Sequence, residues 1–89
     1  MRSIVKQEAK NMSDFTYPVI DMVKTGINIK ELRENAGISV VELQEILGFT
    51  TPQAIYKWQW GKTLPDIENL LLMAKLFNVK VEDILVVKD

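Results

Sequence analysis

The strongest constraint on this chain is how often its helices are told to stop. From Thr25 onward, signals that start and end helices recur every few residues. Ile29, Leu32 and Ala36 fall at i, i+3 and i+7 on one helical face, and Gly37 follows where a left-handed cap is needed. Ser39-Val40-Val41-Glu42 has the form of a capping box, in which the serine hydroxyl and the glutamate carboxylate each accept from a backbone N–H that the helix leaves unpaired. It opens a helix through Leu43, Ile46 and Leu47, which Gly48 closes after about two turns. Thr51-Pro52 then offers an N-cap and a proline at the first helical position, where a missing N–H costs nothing. Ile55 and Trp58 share the inner face of that helix, and Gly61 ends it. Leu64-Pro65-Asp66 restarts the chain, Leu70, Met73, Ala74 and Phe77 share the next apolar face, and Asn78 supplies a left-handed cap. A last short helix fits Val81–Leu85, and Val86-Val87-Lys88-Asp89 trails off. The expected fold class is therefore all-α, with five short helices joined by connections of roughly three to five residues.

Size and composition narrow the function. The 89 residues suit one domain, and 47 % hydrophobic with 26 % charged is a globular balance. A single small core can form, with little stability to spare. The chain has no cysteine, which removes disulfides and thiolate metal sites, and no histidine, which removes the commonest general base and zinc ligand. No apolar run approaches the roughly 18 residues a membrane span needs. The N-terminus Met1-Arg2-Ser3-Ile4-Val5-Lys6 has too short an apolar stretch for a signal peptide, so the expected location is the cytoplasm. Residues 1–21 read as an arm. Residues 1–13 mix polar and charged types without periodicity, and Met12 is a candidate natural start. Thr16-Tyr17-Pro18-Val19-Ile20 reads as extended, because Pro18 pushes Tyr17 out of the helical region, and the apolar residues within 15–20 are expected to anchor it on the domain at 22–87.

The net charge of −1 is not that of a typical nucleic-acid binder, but the charges are unevenly placed. Between Glu45 and Asp66 there is no acidic residue, and Lys57 and Lys62 make that stretch +2, while the remaining 9 basic and 12 acidic groups make the rest −3. The same stretch is rich in Gln, Thr, Tyr and Trp, as an anion-facing surface would be. The carboxylate pairs Glu31/Glu34 and Glu42/Glu45 lie one helical turn apart. Without a histidine or a glycine-rich phosphate loop they read as solvated faces rather than catalytic pairs, and no enzyme is expected.

The helices at 40–47 and 52–60 form a helix-turn-helix pattern. With their surroundings, Ile29–Leu85 resembles the small helical DNA-binding domain of lambdoid phage repressors and Cro, the Xre family, in a form similar to a Gram-positive bacterial branch. The residues that carry the resemblance are Ile29-Lys30-Glu31-Leu32-Arg33, Gly37-Ile38-Ser39, Leu43 with Leu47-Gly48, Ile55 with Trp58, Gly61-Lys62, Pro65, Leu70, Ala74 and Leu76 through Leu85. The resemblance implies a five-helix lambda-repressor-like fold with an N-terminal extended arm. Its second motif helix, about 52–60, would lie in the major groove of double-stranded DNA. Gln53, Tyr56 and Lys57 would face base edges, Gln53 offering adenine a donor and an acceptor together. Thr51, Lys62 and Trp60 would lie along the sugar–phosphate backbone. The family also implies a homodimer on a palindromic operator, with no cofactor and no metal.

The chain departs from the family pattern in four places. The turn Phe49-Thr50-Thr51 holds one residue more than usual. Gln44 stands where a small alanine packs the elbow of the two helices, and the longer turn gives it room. Val40 replaces a glutamine that commonly touches phosphate. Arg33 and Gln59 replace an arginine–glutamate pair, so the expected bond loses its charge term. Val40, Val41 and Ile46 make the first motif helix unusually apolar, for packing against Tyr17–Ile20 or for a protein partner. The alternative function is accordingly a protein-interaction module of the same fold, such as an antitoxin-like or anti-repressor partner.

Overall fold

A computed structural model describes residues 17–89. Among them the chain forms five helices: α1 Met22–Asn35, α2 Val40–Leu47, α3 Gln53–Gln59, α4 Ile67–Phe77 and α5 Val81–Ile84. The expectations for residues 1–13, Phe15 and Thr16 concern chain outside the described residues.

Most of the helix boundaries follow from their caps. α1 starts earlier than the apolar spacing from Thr25 indicates, because the Asp21 carboxylate accepts from the Lys24 N–H at 2.9 Å. α2 carries the capping box in full. The Ser39 hydroxyl accepts from the Glu42 N–H at 3.0 Å, and the Ser39 N–H donates to the Glu42 carboxylate at 2.8 Å. These bonds from Ser39 favour the charged form of Glu42 and hold its pKa below 4.5. Asp66 caps α4 through the Asn69 N–H at 2.9 Å, and Asn78 closes it in the left-handed region at φ 58°.

α3 departs from expectation. Pro52 occupies the N-cap position, no side chain caps the helix, and Thr51 sits in the preceding bend. The extra turn residue carries the chain one step further before helical geometry begins, so Gln53 is the first helical residue rather than the second. The connection at 60–66 is also longer than the expected three to five residues, because Leu64 and the buried Pro65 lie outside any helix before Asp66 caps the next one.

Each helix supplies one apolar side chain with no solvent access: Ile29, Leu43, Ile55, Met73 and Ile84. Burying a side chain of this size contributes about 1.5–3 kcal/mol, so the five together form the centre that orients every helix. The polar groups at the seams are paired. Thr25 is fully buried, and its Oγ1 accepts from the Val86 N–H at 2.9 Å. Asn28 Nδ2 donates to the carbonyls of Asp83 at 2.7 Å and Ile84 at 2.9 Å, two of the acceptors that the end of α5 leaves open.

Two expectations about the termini change. The C-terminal residues do not trail off: Ile20 pairs with Val87 in an antiparallel bridge, flanked by Lys88 N–H to Val19 C=O at 2.8 Å and Asp21 N–H to Val86 C=O at 2.7 Å. The entering segment is held by this backbone pairing, with Ile20 half-buried while Tyr17 is 87 % and Val19 51 % exposed. Val41 and Ile46 are left exposed while Val40 packs against the core, so the expected cover of all three by Tyr17–Ile20 is not formed.

Candidate nucleic-acid interface

The site is built on α3, whose inner face is fixed in three ways. Ile55 and Trp58 are buried, and the Phe49 and Trp58 rings meet edge to face with centroids 5.8 Å and planes 67° apart. Arg33 on α1 is nearly buried. Its Nε donates to Gln59 Oε1 at 3.0 Å and its Nη1 to the Ile38 carbonyl at 2.8 Å, so the neutral replacement at position 59 still ties α3 to α1. Gly26, also buried, lies against the carbonyls of Trp58 and Gln59, close enough that no side chain fits between the two helices.

The elbow before α3 follows the expectation drawn from its sequence. Gln44 is half-buried and its Nε2 donates to the Phe49 carbonyl at 3.3 Å, so the larger side chain and the longer turn form one unit. Together with Arg33, this unit sets the height and tilt of α3.

With Ile55 and Trp58 turned inward, the outer face of α3 carries Gln53, Tyr56, Lys57 and, at its end, Trp60. These four line one shallow, open groove of about 230 Å³. Tyr56 and Trp60 stack at a centroid distance of 5.8 Å with planes 20° apart, and Lys62 Nζ lies 5.6 Å from the Trp60 ring centre. Trp60 is 61 % exposed and rests on Tyr56. Five of the six predicted site residues are thus brought together: four line the groove and Lys62 sits over one wall. Thr51 is exposed in the turn before α3 and is not among the groove residues. The stack itself is not among the expected features, although Tyr56 and Trp60 stand four apart, a spacing that makes helical side chains neighbours. Among the described residues no group of three acidic, His or Cys side chains could hold a metal. None of their helices is long and apolar enough to cross a membrane.

A two-turn helix, a sharp glycine, a short turn and a second helix with one face buried and one face polar and aromatic define a helix-turn-helix domain. The helix-turn-helix family model matches residues 29–84, and the chain belongs to that family of DNA-binding transcription regulators. Solved structures share the fold. The restriction-modification controller protein C.AhdI from Aeromonas hydrophila matches with a TM-score of 0.62 and 23 % identity, over 72 % of this chain and 96 % of that one. The clp gene regulator ClgR from C. glutamicum matches with a TM-score of 0.62 and 17 % identity, over 79 % of this chain and 88 % of that one. The DNA-binding domain of BldD matches with a TM-score of 0.59 and 17 % identity, over 72 % and 92 %. A comparison with curated protein sequences finds no match.

Proposed function

We propose that this chain binds duplex DNA sequence-specifically as a small transcriptional regulator, with α3 in the major groove. The observation that carries the reading is the convergence of Gln53, Tyr56, Lys57 and Trp60 on one open groove, inside a stretch without a single acidic residue from Ile46 to Pro65. An anionic duplex meets no carboxylate from that stretch, and base edges meet an amide, a phenol and an ammonium. In this reading Gln53 pairs with adenine, Lys57 and Tyr56 reach neighbouring base edges, and Thr51, Lys62 and Trp60 lie along the backbone. The groove carries few cations, so one subunit supplies little non-specific affinity. Tight binding then calls for two copies of the chain on a palindromic site.

The protein-interaction alternative draws less support. Val40 is taken up by the core, and Val41 and Ile46, five residues apart, project about 140° from each other around α2. They make two separate apolar points rather than one stripe.

A salt-titrated anisotropy measurement on random duplex tests the reading, followed by selection of a preferred sequence. Gln53→Ala should weaken the selected site by about 1–3 kcal/mol and relax preference at one base position. Lys62→Ala should weaken all sequences alike and lower the salt slope by about one per subunit. No shift of any duplex even at low salt would end the reading.

A further inference from the structure

The aromatic pair on α3 is unusual in being both exposed and already occupied. Tyr56 and Trp60 stack on each other, and Lys62 Nζ stands 5.6 Å from the indole centre, within cation–π reach. An aromatic that takes a base by stacking needs a free face standing clear of its neighbours. Here the rings give up faces to each other and are held in place, so they act as a fixed apolar wall. Gln53 and Lys57 complete the groove beside that wall. Leaving a 61 % exposed indole in water is unfavourable unless binding covers it.

The surface of the major groove offers one apolar group only, the C5-methyl of thymine. Gln53 is on the same face of α3, three residues before Tyr56, which is about 4.5 Å along the helix axis. That is close to the spacing of about 3.4 Å between successive bases of a strand. Trp60, seven residues after Gln53, is about 10.5 Å along, so the amide suited to adenine and the wall suited to a methyl group stand about one to three base steps apart. We propose, on the footing of the duplex-binding reading above but with Trp60 turned from the backbone to the base edges, that the Tyr56–Trp60 stack is a specificity-determining shelf for a thymine methyl. The recognised element is then an adenine under Gln53 with a thymine about one to three base pairs further along. The Tyr56 ring stacked on the indole holds it in the orientation that receives the methyl, so the shelf is formed before DNA arrives.

The test replaces thymine by uracil, one position at a time, in the duplex selected by the wild-type protein. This removes the methyl group and keeps the hydrogen-bonding edge. The expected result is one position per half-site at which wild-type binding falls about fourfold, the worth of one buried methyl group. At that position Trp60→Ala should bind thymine and uracil duplexes equally, and Trp60→Phe should recover part of the difference. Circular-dichroism melts of both variants establish that they are folded, and the uracil series on the wild type is decisive without them. Strong binding that is indifferent to uracil at every position overturns the shelf and leaves the DNA-binding reading standing. A Trp60→Ala variant still sensitive to the same methyl assigns that contact elsewhere and also overturns it. Failure of the wild type to bind any duplex overturns both.

Discussion

Gly26→Ala sets two physical effects directly against each other. Gly26 lies inside α1, and alanine in a helix interior is worth about 1 kcal/mol over glycine. Propensity alone therefore predicts a more stable protein. The packing predicts the reverse. A Cβ at position 26 would overlap the Trp58 carbonyl oxygen and stand 2.7 Å from the Gln59 carbonyl oxygen. Both are backbone atoms at the end of α3, so no side-chain rotation relieves the contact, and α1 and α3 must move apart. Overpacking of this kind costs about 1–3 kcal/mol and occasionally more. Separating the helices also strains the 3.0 Å bond from Arg33 to Gln59, a charge-assisted contact of about 1.5–3 kcal/mol when intact. With the propensity gain subtracted, the expected net loss is about 2 kcal/mol. A domain of this size shifts by roughly 4–8 °C per kcal/mol, so the melting temperature should fall by about 8–16 °C. Parallel thermal and urea melts of wild type and variant measure it. An unchanged or raised midpoint would show that α1 and α3 are not held at the distance on which the placement of the interface depends.

Trp58→Ala should cost about 3–5 kcal/mol, since the ring is 5 % exposed and braced by Phe49; a melt shifted by only a degree or two would place the ring outside the core. Gln44→Ala should destabilise by about 1 kcal/mol in urea, although alanine is the better helix former, because the Phe49 carbonyl loses its 3.3 Å partner; a neutral result would uncouple the side chain from the turn. Glu42 has a lowered folded-state pKa, so its capping contribution is present above pH 4.5 and is lost as pH falls through the folded value. Wild type should out-melt Glu42→Gln at neutral pH and converge with it in acid, and a carboxyl midpoint at or above 4.5 by NMR would contradict this.

The parts of this molecule written in local chemistry could be read from the chain. The capping box at Ser39–Glu42, the left-handed positions at Gly48 and Asn78, and the buried face of Leu70, Met73 and Phe77 each depend on residues within a few positions of one another. So does the Gln44 elbow, because its acceptor is five residues away. What stayed hidden depends on long-range approach. Gly26 has no local reason to be glycine, and its reason is a carbonyl at position 58. Thr25 and Asn28 look like ordinary helix residues until Val86 and the end of α5 arrive beside them. Pro52 misled for a different reason: proline suits both the cap and the first helical position, and only the length of the turn decides between them. At the interface, residue types and face were legible, while the Tyr56–Trp60 stack required rotamers that a sequence does not specify.

The pairing of residues 19–21 with 86–88 has a mechanical meaning. Because the bridge at Ile20 and Val87 is antiparallel, the chain enters and leaves the domain side by side and toward the same direction. Tension applied across the two ends would load the clasp as a zipper. The bond between Lys88 and Val19 would open first and the one between Asp21 and Val86 next, each bearing the force alone. Only then would the pull reach the Thr25 hydroxyl and the first turn of α1, while α2, α3 and α4 stayed slack. Anything tethered to either end would therefore tug on a weak latch well before it disturbed the helix that carries the binding face.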